Sequence, residues 1–243
     1  LGGIIPQTIP VEEDGSVNID FIEAKIKPDD IHFPRTKLVC FENTYNGKAL
    51  SPDYMKKASD VASKHGLSSH LDGARLMNAA IANRCSPKDL TRGFTTVSLC
   101  LSKGLGAPVG SVLTGSSNFI KEARRARKML GGGMRQAGIL AACGLVAVKT
   151  QVDRLEEDHR LASRLATELS QIPDIQTESE GANTNMVFIK VLDQHRDPLK
   201  AFLKNKGILI SGRPPTFRLV IHRDINEKDI PTTVAAFAEY FRQ

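Results

Sequence analysis

Short apolar runs alternate with a helical pattern along the first half of this 243-residue chain. Residues 37–41, 67–71 and 96–101 have the length and composition of buried strands, and residues 52–64 repeat their apolar side chains with a helical period. Two parallel strands need a long crossover between them, which is usually a helix. The pattern therefore predicts an α/β domain with a mainly parallel sheet.

The pattern changes in the second half. Residues 134–169 predict one long helix, bent near Gly144, that links two domains. Beyond it, strands are predicted at residues 186–191, 208–211 and 217–221, with helices at residues 197–206 and 227–241. We therefore expect a large domain over residues 1–150. Residues 151–243 should hold the linking helix and a small α+β domain.

Two charged residues follow predicted strands. Asp72 comes directly after one strand, and Lys103 comes after another, against glycines. Ligands of open α/β sheets bind at the carboxyl ends of strands, so both residues are candidates for one site. A lysine amine that bonds to an aldehyde, beside a carboxylate that keeps a pyridine nitrogen protonated, is what pyridoxal phosphate chemistry needs. From the residues alone, Asp72 also fits an N-cap and Lys103 a surface lysine.

Composition narrows the class of protein. Hydrophobic residues make up 41% and charged residues 25%, which is ordinary for a globular protein. No apolar run approaches the roughly 18 residues of a membrane span, so no membrane partner is expected. The net charge is +6, but the basic cluster at residues 124–128 has no interleaved aromatic side chains. A solvated helix face explains that cluster better than nucleic-acid binding.

The four cysteines are scattered, without a Cys-x-x-Cys pair. This spacing is typical of buried free thiols in a reducing compartment, so we expect a cytoplasmic protein without disulfides. No cluster of His and Cys has the spacing of a zinc site, so no metal is predicted.

Several segments resemble one known family. The longest are "HLDGARLMNAA" (70–80), "SLCLSKGLGAPVGSVLTG" (98–115) and "RKMLGGGMRQAGILAA" (127–142), joined by Glu42-Asn43-Thr44 and "EEDHRLA" (156–162). Weaker matches are "NTNMVFIKV" (183–191) and "FRLVIHRDI" (217–225). With these segments the chain resembles the low-specificity L-threonine aldolases from end to end. They are pyridoxal phosphate lyases of the aspartate aminotransferase-like fold, also called fold type I.

The resemblance implies cofactor roles for four residues. Lys103 corresponds to the lysine that bonds to the cofactor aldehyde, and Asp72 to the carboxylate at the pyridine nitrogen. Arg75 corresponds to an arginine beside the cofactor ring, although a solvated helix residue or a partner of Asp72 also fits its position. His70 shares a strand face with Asp72, since side chains alternate, and supports it or has only a structural role.

The resemblance also implies the substrate contacts. Arg135 matches an anion contact that reaches across a subunit interface, and Arg218 matches the arginine that holds the substrate α-carboxylate. The implied reaction is aldol cleavage of L-threonine or L-allo-threonine to glycine and acetaldehyde. The implied partners are this amino-acid substrate and further copies of the chain, as a homodimer or homotetramer with shared sites.

Two departures from the family pattern affect these expectations. Tyr45 stands where the family usually has His, so the base for the substrate hydroxyl is open. Family members are longer at the N-terminus, where they carry the phosphate loop and a stacking His, and His32 is no convincing substitute. We therefore expect residues 1–243 to be an N-terminally truncated form and a poor aldolase alone. The alternative is a catalytically dead fragment that acts only as an interaction subunit.

Overall fold

The computed structural model describes residues 2–178, 183–212 and 215–242. The chain divides into two compact units, Leu1–Lys149 and Thr150–Gln243. Each unit builds its own sheet: a four-stranded one in the first unit and a three-stranded one in the second.

The first unit alternates strands and helices. Its elements are α1 (Ile19–Lys25), β1 (Leu38–Glu42), α2 (Pro52–Lys64), β2 (Ser68–Gly73), α3 (Leu76–Ala82), α4 (Pro87–Thr91), β3 (Thr96–Cys100), β4 (Ser111–Thr114), α5 (Ser117–Met129) and α6 (Gly138–Thr150). The strand order is β1-β2-β3-β4; the first three are parallel, and β4 runs antiparallel to β3. The predicted α/β class with a mainly parallel sheet is confirmed.

Helix α2 shows how local sequence sets an element. The Ser51 side chain accepts a hydrogen bond from the Tyr54 amide at 3.2 Å, and Pro52 occupies the first turn. Both features are favoured at a helix start. Gly66 follows the end of the helix with a φ of 62°, a left-handed conformation that favours glycine. The predicted bounds of this helix are confirmed.

The sheet of the first unit is packed on one face. Val39 and Phe41 of β1 and Leu71 of β2 are buried with the apolar face of α2, which contributes Met55 and Val61. The alternate residues of β1 are exposed, as are all four residues of β4. Since side chains alternate along a strand, one face of β1 and β2 builds the core, and the other face is left open, with Leu38, Cys40 and Glu42 of β1 on it.

The predicted helix over residues 134–169 is wrong. Two helices replace it: α6 ends at Thr150, and α7 (Leu155–Leu169) begins five residues later. The amides of residues 155–157 each bond to the carbonyl three residues back, as in Leu155 N–H to the Val152 carbonyl at 3.0 Å, so the chain makes tight turns before α7 continues. The β-branched residues Thr150 and Val152 weaken the helix here, and three acidic residues favour a new start in the first turn of α7.

The second unit is an α+β arrangement. Its further elements are β5 (Gln176–Thr177), β6 (Met186–Lys190), a 3₁₀ turn (Asp193–His195), α8 (Arg196–Asn205), β7 (Thr216–Val220) and α9 (Asp229–Phe241). The strands form an antiparallel sheet in the order β5-β6-β7. One core joins this sheet to α7, α8 and α9, with Leu165, Ile189, Leu203 and Phe237 all nearly or wholly buried.

The strand predicted at residues 208–211 is also wrong. This segment makes only an isolated bridge between Ser211 and Arg218. Gly207 and Gly212 flank it with φ values of 77° and 144°, so the backbone turns at both ends. A Cβ at Gly212 would lie 2.3 Å from the Thr216 carbonyl oxygen, which shows how closely the two segments approach.

Candidate active site

The carboxyl edge of the parallel strands brings polar side chains into one row. The register pairs Glu42 with Asp72 and Asp72 with Ser98 across β1, β2 and β3. Because these residues share a register position, their side chains lie on the same face, the one that α2 does not cover. Asp72 and Glu42 are exposed there, and Ser98 is half-buried.

Asp72 closes a short turn rather than capping a helix. Its Oδ1 accepts a hydrogen bond from the Ala74 amide at 3.0 Å, and the Ser98 hydroxyl lies 3.5 Å from the same oxygen. Helix α3 begins only at Leu76, with Arg75 at its N-cap and no side-chain cap. The carboxylate is therefore oriented by its own loop, while its exposure leaves it accessible to a ligand.

Lys103 projects from a tightly bonded turn after β3. The Gly106 amide donates to the Lys103 carbonyl at 2.9 Å, and the Ala107 amide donates to the Leu101 carbonyl at 2.9 Å. Gly104 is buried, and Gly106 has a φ of 71°, a conformation that suits glycine. The backbone of the turn is fixed, and the Lys103 side chain itself is exposed.

Glu42 belongs to the same electrostatic cluster, although sequence reasoning used it only as part of a match. Burial and the charge of Asp72 raise the pKa of Glu42, and the nearby charges of Lys103 and Arg75 oppose that rise. The charges of Asp72, Lys103 and Arg75 therefore all act on Glu42. Sequence reasoning missed Glu42 because only the register of β1 against β2 places it beside Asp72.

The loop after Glu42 is anchored by Asn43, which is wholly buried. Its side chain donates to the Leu50 carbonyl at 3.1 Å and accepts from the Leu50 amide at 3.1 Å. The Asn43 amide donates to the Asp72 carbonyl at 3.1 Å. Tyr45, in the position of the family His, is half-buried, and its backbone pairs with Lys48. A Cβ added at Gly15 would lie 3.2 Å from the Cβ of Tyr45, so the backbone at Gly15 packs closely against the Tyr45 side chain.

His70 lies one row behind Asp72 on the same face. Its Nδ1 is 2.8 Å from the Thr96 hydroxyl, so the ring has a fixed partner on the neighbouring strand. The predicted shared face with Asp72 follows from the register, which pairs His70 with Cys40 and Thr96. This geometry fits support of the strand edge and gives His70 no contact with Asp72.

The cysteines differ from expectation, because none of the four is buried: Cys40 is exposed and the others are half-buried. Cys40 lies on the open sheet face, where burial of its thiol and the charge of Asp72 still raise its pKa. Burial also tends to raise the pKa of Cys100. Hydrogen bonds from Ser102 and Ser111 and the charge of Lys103 outweigh it and leave the pKa lowered.

The other predicted residues belong to other segments of the chain, and each is described within its own unit. Arg135 is exposed in the segment between α5 and α6. Helix α6 begins three residues after it, at Gly138, so the Arg135 amide is not part of the first turn of that helix. Arg218 is exposed on β7 of the second unit, between the buried Phe217 and Leu219, and its amide donates to the Ser211 carbonyl at 2.6 Å. His32 is exposed, with Nδ1 2.7 Å from Asp30.

The donor set of the first unit fits pyridoxal phosphate in kind. One edge presents a primary amine on a fixed turn and a carboxylate held by its own loop, with the Arg75 guanidinium beside them.

The described residues contain no group of three or more His, Cys, Asp and Glu placed to hold a metal ion. In the same part of the chain, no helix combines the length and apolar character that crossing a membrane requires.

Comparison with known proteins places the chain. A family model described as beta-eliminating lyase matches residues 1–192. The low-specificity L-threonine aldolase of Escherichia coli K12 is 44% identical over 97% of this chain and 69% of its own length. Low-specificity L-threonine aldolase 1 of Arabidopsis thaliana is 41% identical over 98% of this chain and 69% of its own length. This chain therefore spans little more than two thirds of these relatives.

A solved structure shares the fold. The threonine aldolase of Leishmania major superposes with a TM-score of 0.77 at 21% identity, over 93% of this chain and 68% of the other. Identity this low shows the fold alone. The family model and the two closer relatives carry the assignment, and on their evidence this chain belongs to the low-specificity L-threonine aldolases, within the beta-eliminating lyase family.

Proposed function

We propose that this protein is a pyridoxal phosphate-dependent lyase that cleaves L-threonine and L-allo-threonine to glycine and acetaldehyde. One observation carries the proposal: Asp72 and Lys103 stand at the same edge of one parallel sheet, each fixed by its own loop and each exposed. Membership of the threonine aldolase family supports the substrate. The proposed roles in metabolism are threonine breakdown and glycine supply.

The cofactor, when bound, supplies an electron sink for the pair released by Cα–Cβ cleavage. In this proposal the Lys103 amine holds the cofactor aldehyde, and Asp72 holds a proton on the pyridine nitrogen. A carboxylate close to a pyridinium gains about 4 kcal/mol at an effective dielectric near 20, which is enough to keep that nitrogen protonated. Arg75, whose charge acts on the same cluster, stands beside the ring.

The substrate contacts in this proposal are two arginines. The planar guanidinium of Arg218 can grip a carboxylate with two parallel hydrogen bonds, which suits the substrate α-carboxylate. Arg135 provides a further anion contact.

In the overall reaction the substrate hydroxyl loses its proton, the Cα–Cβ bond breaks, and Cα gains a proton, so glycine and acetaldehyde balance threonine. The group that accepts the hydroxyl proton is open, since Tyr45 replaces the family His.

The proposed setting is cytoplasmic, as a homodimer or homotetramer with shared sites. Amino-acid substrates are the only small-molecule partners proposed. The alternative is a catalytically inactive chain that acts as an interaction subunit. It differs in a measurable way, because such a subunit would fold without placing its lysine against a cofactor.

The test is chemical. The full-length protein, with the N-terminal segment that the family carries, is incubated with pyridoxal phosphate, reduced with borohydride and mapped by peptide mass spectrometry. We expect the pyridoxyl adduct on Lys103 and its loss in Lys103→Arg, while Lys37→Arg, a matched change outside the site, keeps it. Acetaldehyde release from L-threonine, followed with a coupled dehydrogenase, tests the reaction. A folded protein without the Lys103 adduct would favour the interaction subunit and reject the lyase.

A further inference from the structure

Ser98 on β3 carries a hydroxyl to which the proposed function gives no role. It is the register partner of Asp72 in the parallel pair of β2 and β3. Partners in such a pair have their side chains on the same face, which here is the face that α2 does not cover. Ser98 is half-buried, and its hydroxyl oxygen lies 3.5 Å from Asp72 Oδ1. The hydroxyl therefore stands against the carboxylate on which the proposed cofactor chemistry depends.

Gly73 keeps the two strands close together at this point. A Cβ added at Gly73 would lie 2.5 Å from the Ser98 carbonyl oxygen and 3.0 Å from the Cβ of Leu76. A larger residue would therefore force β3 away from the end of β2. On the other side, the Asn43 amide donates to the Asp72 carbonyl at 3.1 Å. The backbone at Asp72 is thus fixed between β1 and β3, with Ser98 as its close neighbour.

Two donors converge on one oxygen of the Asp72 carboxylate. The Ala74 amide donates to Oδ1 at 3.0 Å from the loop of Asp72 itself, and the Ser98 hydroxyl approaches the same oxygen at 3.5 Å from the neighbouring strand. At 3.5 Å a hydroxyl contact is long, so it orients the carboxylate more than it binds it tightly. With Oδ1 engaged by two donors, Oδ2 is the oxygen that can accept a hydrogen bond from a ligand.

We propose that Ser98 is a positioning residue for Asp72, whose hydroxyl helps the Ala74 amide to hold Oδ1, so that Oδ2 is presented to the pyridine nitrogen of the cofactor. This role rests on the proposed function, in which Asp72 keeps that nitrogen protonated. Hydrogen bonds between charged groups depend on the direction of approach as well as on distance. Without the hydroxyl, the carboxylate is held by the Ala74 amide alone and rotates more freely, so its bond to the ring nitrogen weakens.

The cofactor arm of the test uses the full-length protein and two ligands: pyridoxal phosphate, and its 1-deaza analogue, in which a C–H group replaces the ring nitrogen. Ser98→Ala should bind pyridoxal phosphate about 2- to 5-fold more weakly, as expected for the loss of one hydrogen bond, and should bind the analogue as the parent does. Ser98→Thr keeps the hydroxyl and should restore most of the affinity. A general loss of packing would weaken both ligands equally, which would overturn the proposal. Unchanged pyridoxal phosphate affinity in folded Ser98→Ala would overturn it as well.

The second arm needs no ligand, because the Ala74 amide that bonds to Asp72 Oδ1 reports on the carboxylate directly. Hydrogen exchange at this amide should be about 2- to 3-fold faster in Ser98→Ala and close to the parent rate in Ser98→Thr.

Ser68→Ala is the matched control for both arms. Ser68 is an exposed hydroxyl on the same strand as Asp72, four residues before it, and its removal should change neither ligand affinity nor the exchange of the Ala74 amide. An Ala74 exchange rate that is unchanged in folded Ser98→Ala rejects the positioning role. A parent protein that does not bind pyridoxal phosphate rejects the proposed function instead, and the exchange rates still decide whether Ser98 orients the carboxylate.

Discussion

The two sheets of this protein differ in how far their side chains are buried. In β1, exposed and buried residues alternate without exception, and the exposed set ends in Glu42. In β6 three of the five residues are buried, and the strand lies in a core shared with three helices. Side chains that no packing requires are available for chemistry, so the open face of the first sheet can carry a site.

The difference in burial also changes what the removal of a charge costs in free energy. A carboxylate on the open face is solvated, so its replacement by a neutral isostere changes charge and little else. A charge inside the second unit has no such freedom, because a buried ion that loses its partner remains desolvated. We therefore expect substitutions in the first sheet to affect reactivity and substitutions in the second unit to affect stability.

The largest effect should follow from Asp72→Asn. The amide keeps an oxygen that can accept the Ala74 hydrogen bond, so the loop and the melting temperature should change little. Loss of the charge removes about 4 kcal/mol of stabilisation at the cofactor nitrogen, which corresponds to a roughly 1,000-fold slower cleavage of L-threonine. Acetaldehyde release and a thermal melt measure the two sides. Cleavage near the parent rate would show that Asp72 does not hold the nitrogen.

In the second unit, Asp158→Ala should have the opposite profile. Asp158 is wholly buried and accepts two hydrogen bonds from Arg154, at 2.7 and 2.8 Å. Removing the Asp158 carboxylate takes this partner from the half-buried Arg154 guanidinium and costs about 3 kcal/mol, or about 8 °C in melting temperature. Glu157→Ala, an exposed carboxylate on the same turn of α7, is the control. A loss of stability no larger than the control's would show that the Asp158–Arg154 ion pair does not stabilise the second unit.

The sequence contained enough to predict the first unit well. Ser51 and Pro52 predict the start of α2, because an N-cap serine and a proline at the first position are favoured there. The alternation of side chains along β1 and β2 assigns each residue to one of the two faces of the sheet. Asp72 and Lys103 could be predicted because each follows an apolar strand. These signals are short-range, so they survive without knowledge of the tertiary structure.

What could not be predicted depended on longer-range contacts. No glycine or proline marks the break at residues 151–154, so the two helices could not be told from one by the usual helix-ending residues, and the packing of α7 in the core of the second unit sets its own start. Glu42 could be placed beside Asp72 only once the register of two strands was known. A one-residue shift would have turned Glu42 into the core, and the sequence alone does not define register that closely.

His159 of the second unit gives a smaller, pH-dependent effect. Burial lowers its pKa below the ordinary 6.5, against the charges of Asp158 and Glu156. A lowered histidine pKa means that the folded state resists protonation, so its stability is complete above 6.5 and declines as pH falls through the folded value. Calorimetry should show a melting temperature that falls by about 2–3 °C more in the parent than in His159→Gln between neutral and mildly acidic pH. Parallel pH profiles would contradict this.

The smallest effect belongs to Glu42, and its sign runs against that of most carboxylates. Burial and the charge of Asp72 raise its pKa above the ordinary 4.5, so the folded state binds the proton more tightly than the unfolded chain. The ionised form therefore costs stability above the raised pKa, and that cost disappears as pH falls to the ordinary value and below.

Glu42→Gln should accordingly raise the melting temperature at neutral pH by about 1 °C, since the side chain is partly solvated and its charges are screened. The gain should vanish in acid, where the parent carboxyl is protonated too. In an Asp72→Asn background the gain should shrink, because the main repelling charge is already gone. Calorimetry of the four chains of this cycle measures the coupling directly. If Glu42→Gln lowers the neutral-pH melting temperature, the cations at this edge outweigh Asp72, and the open face of the sheet stabilises the fold as well as carrying its chemistry.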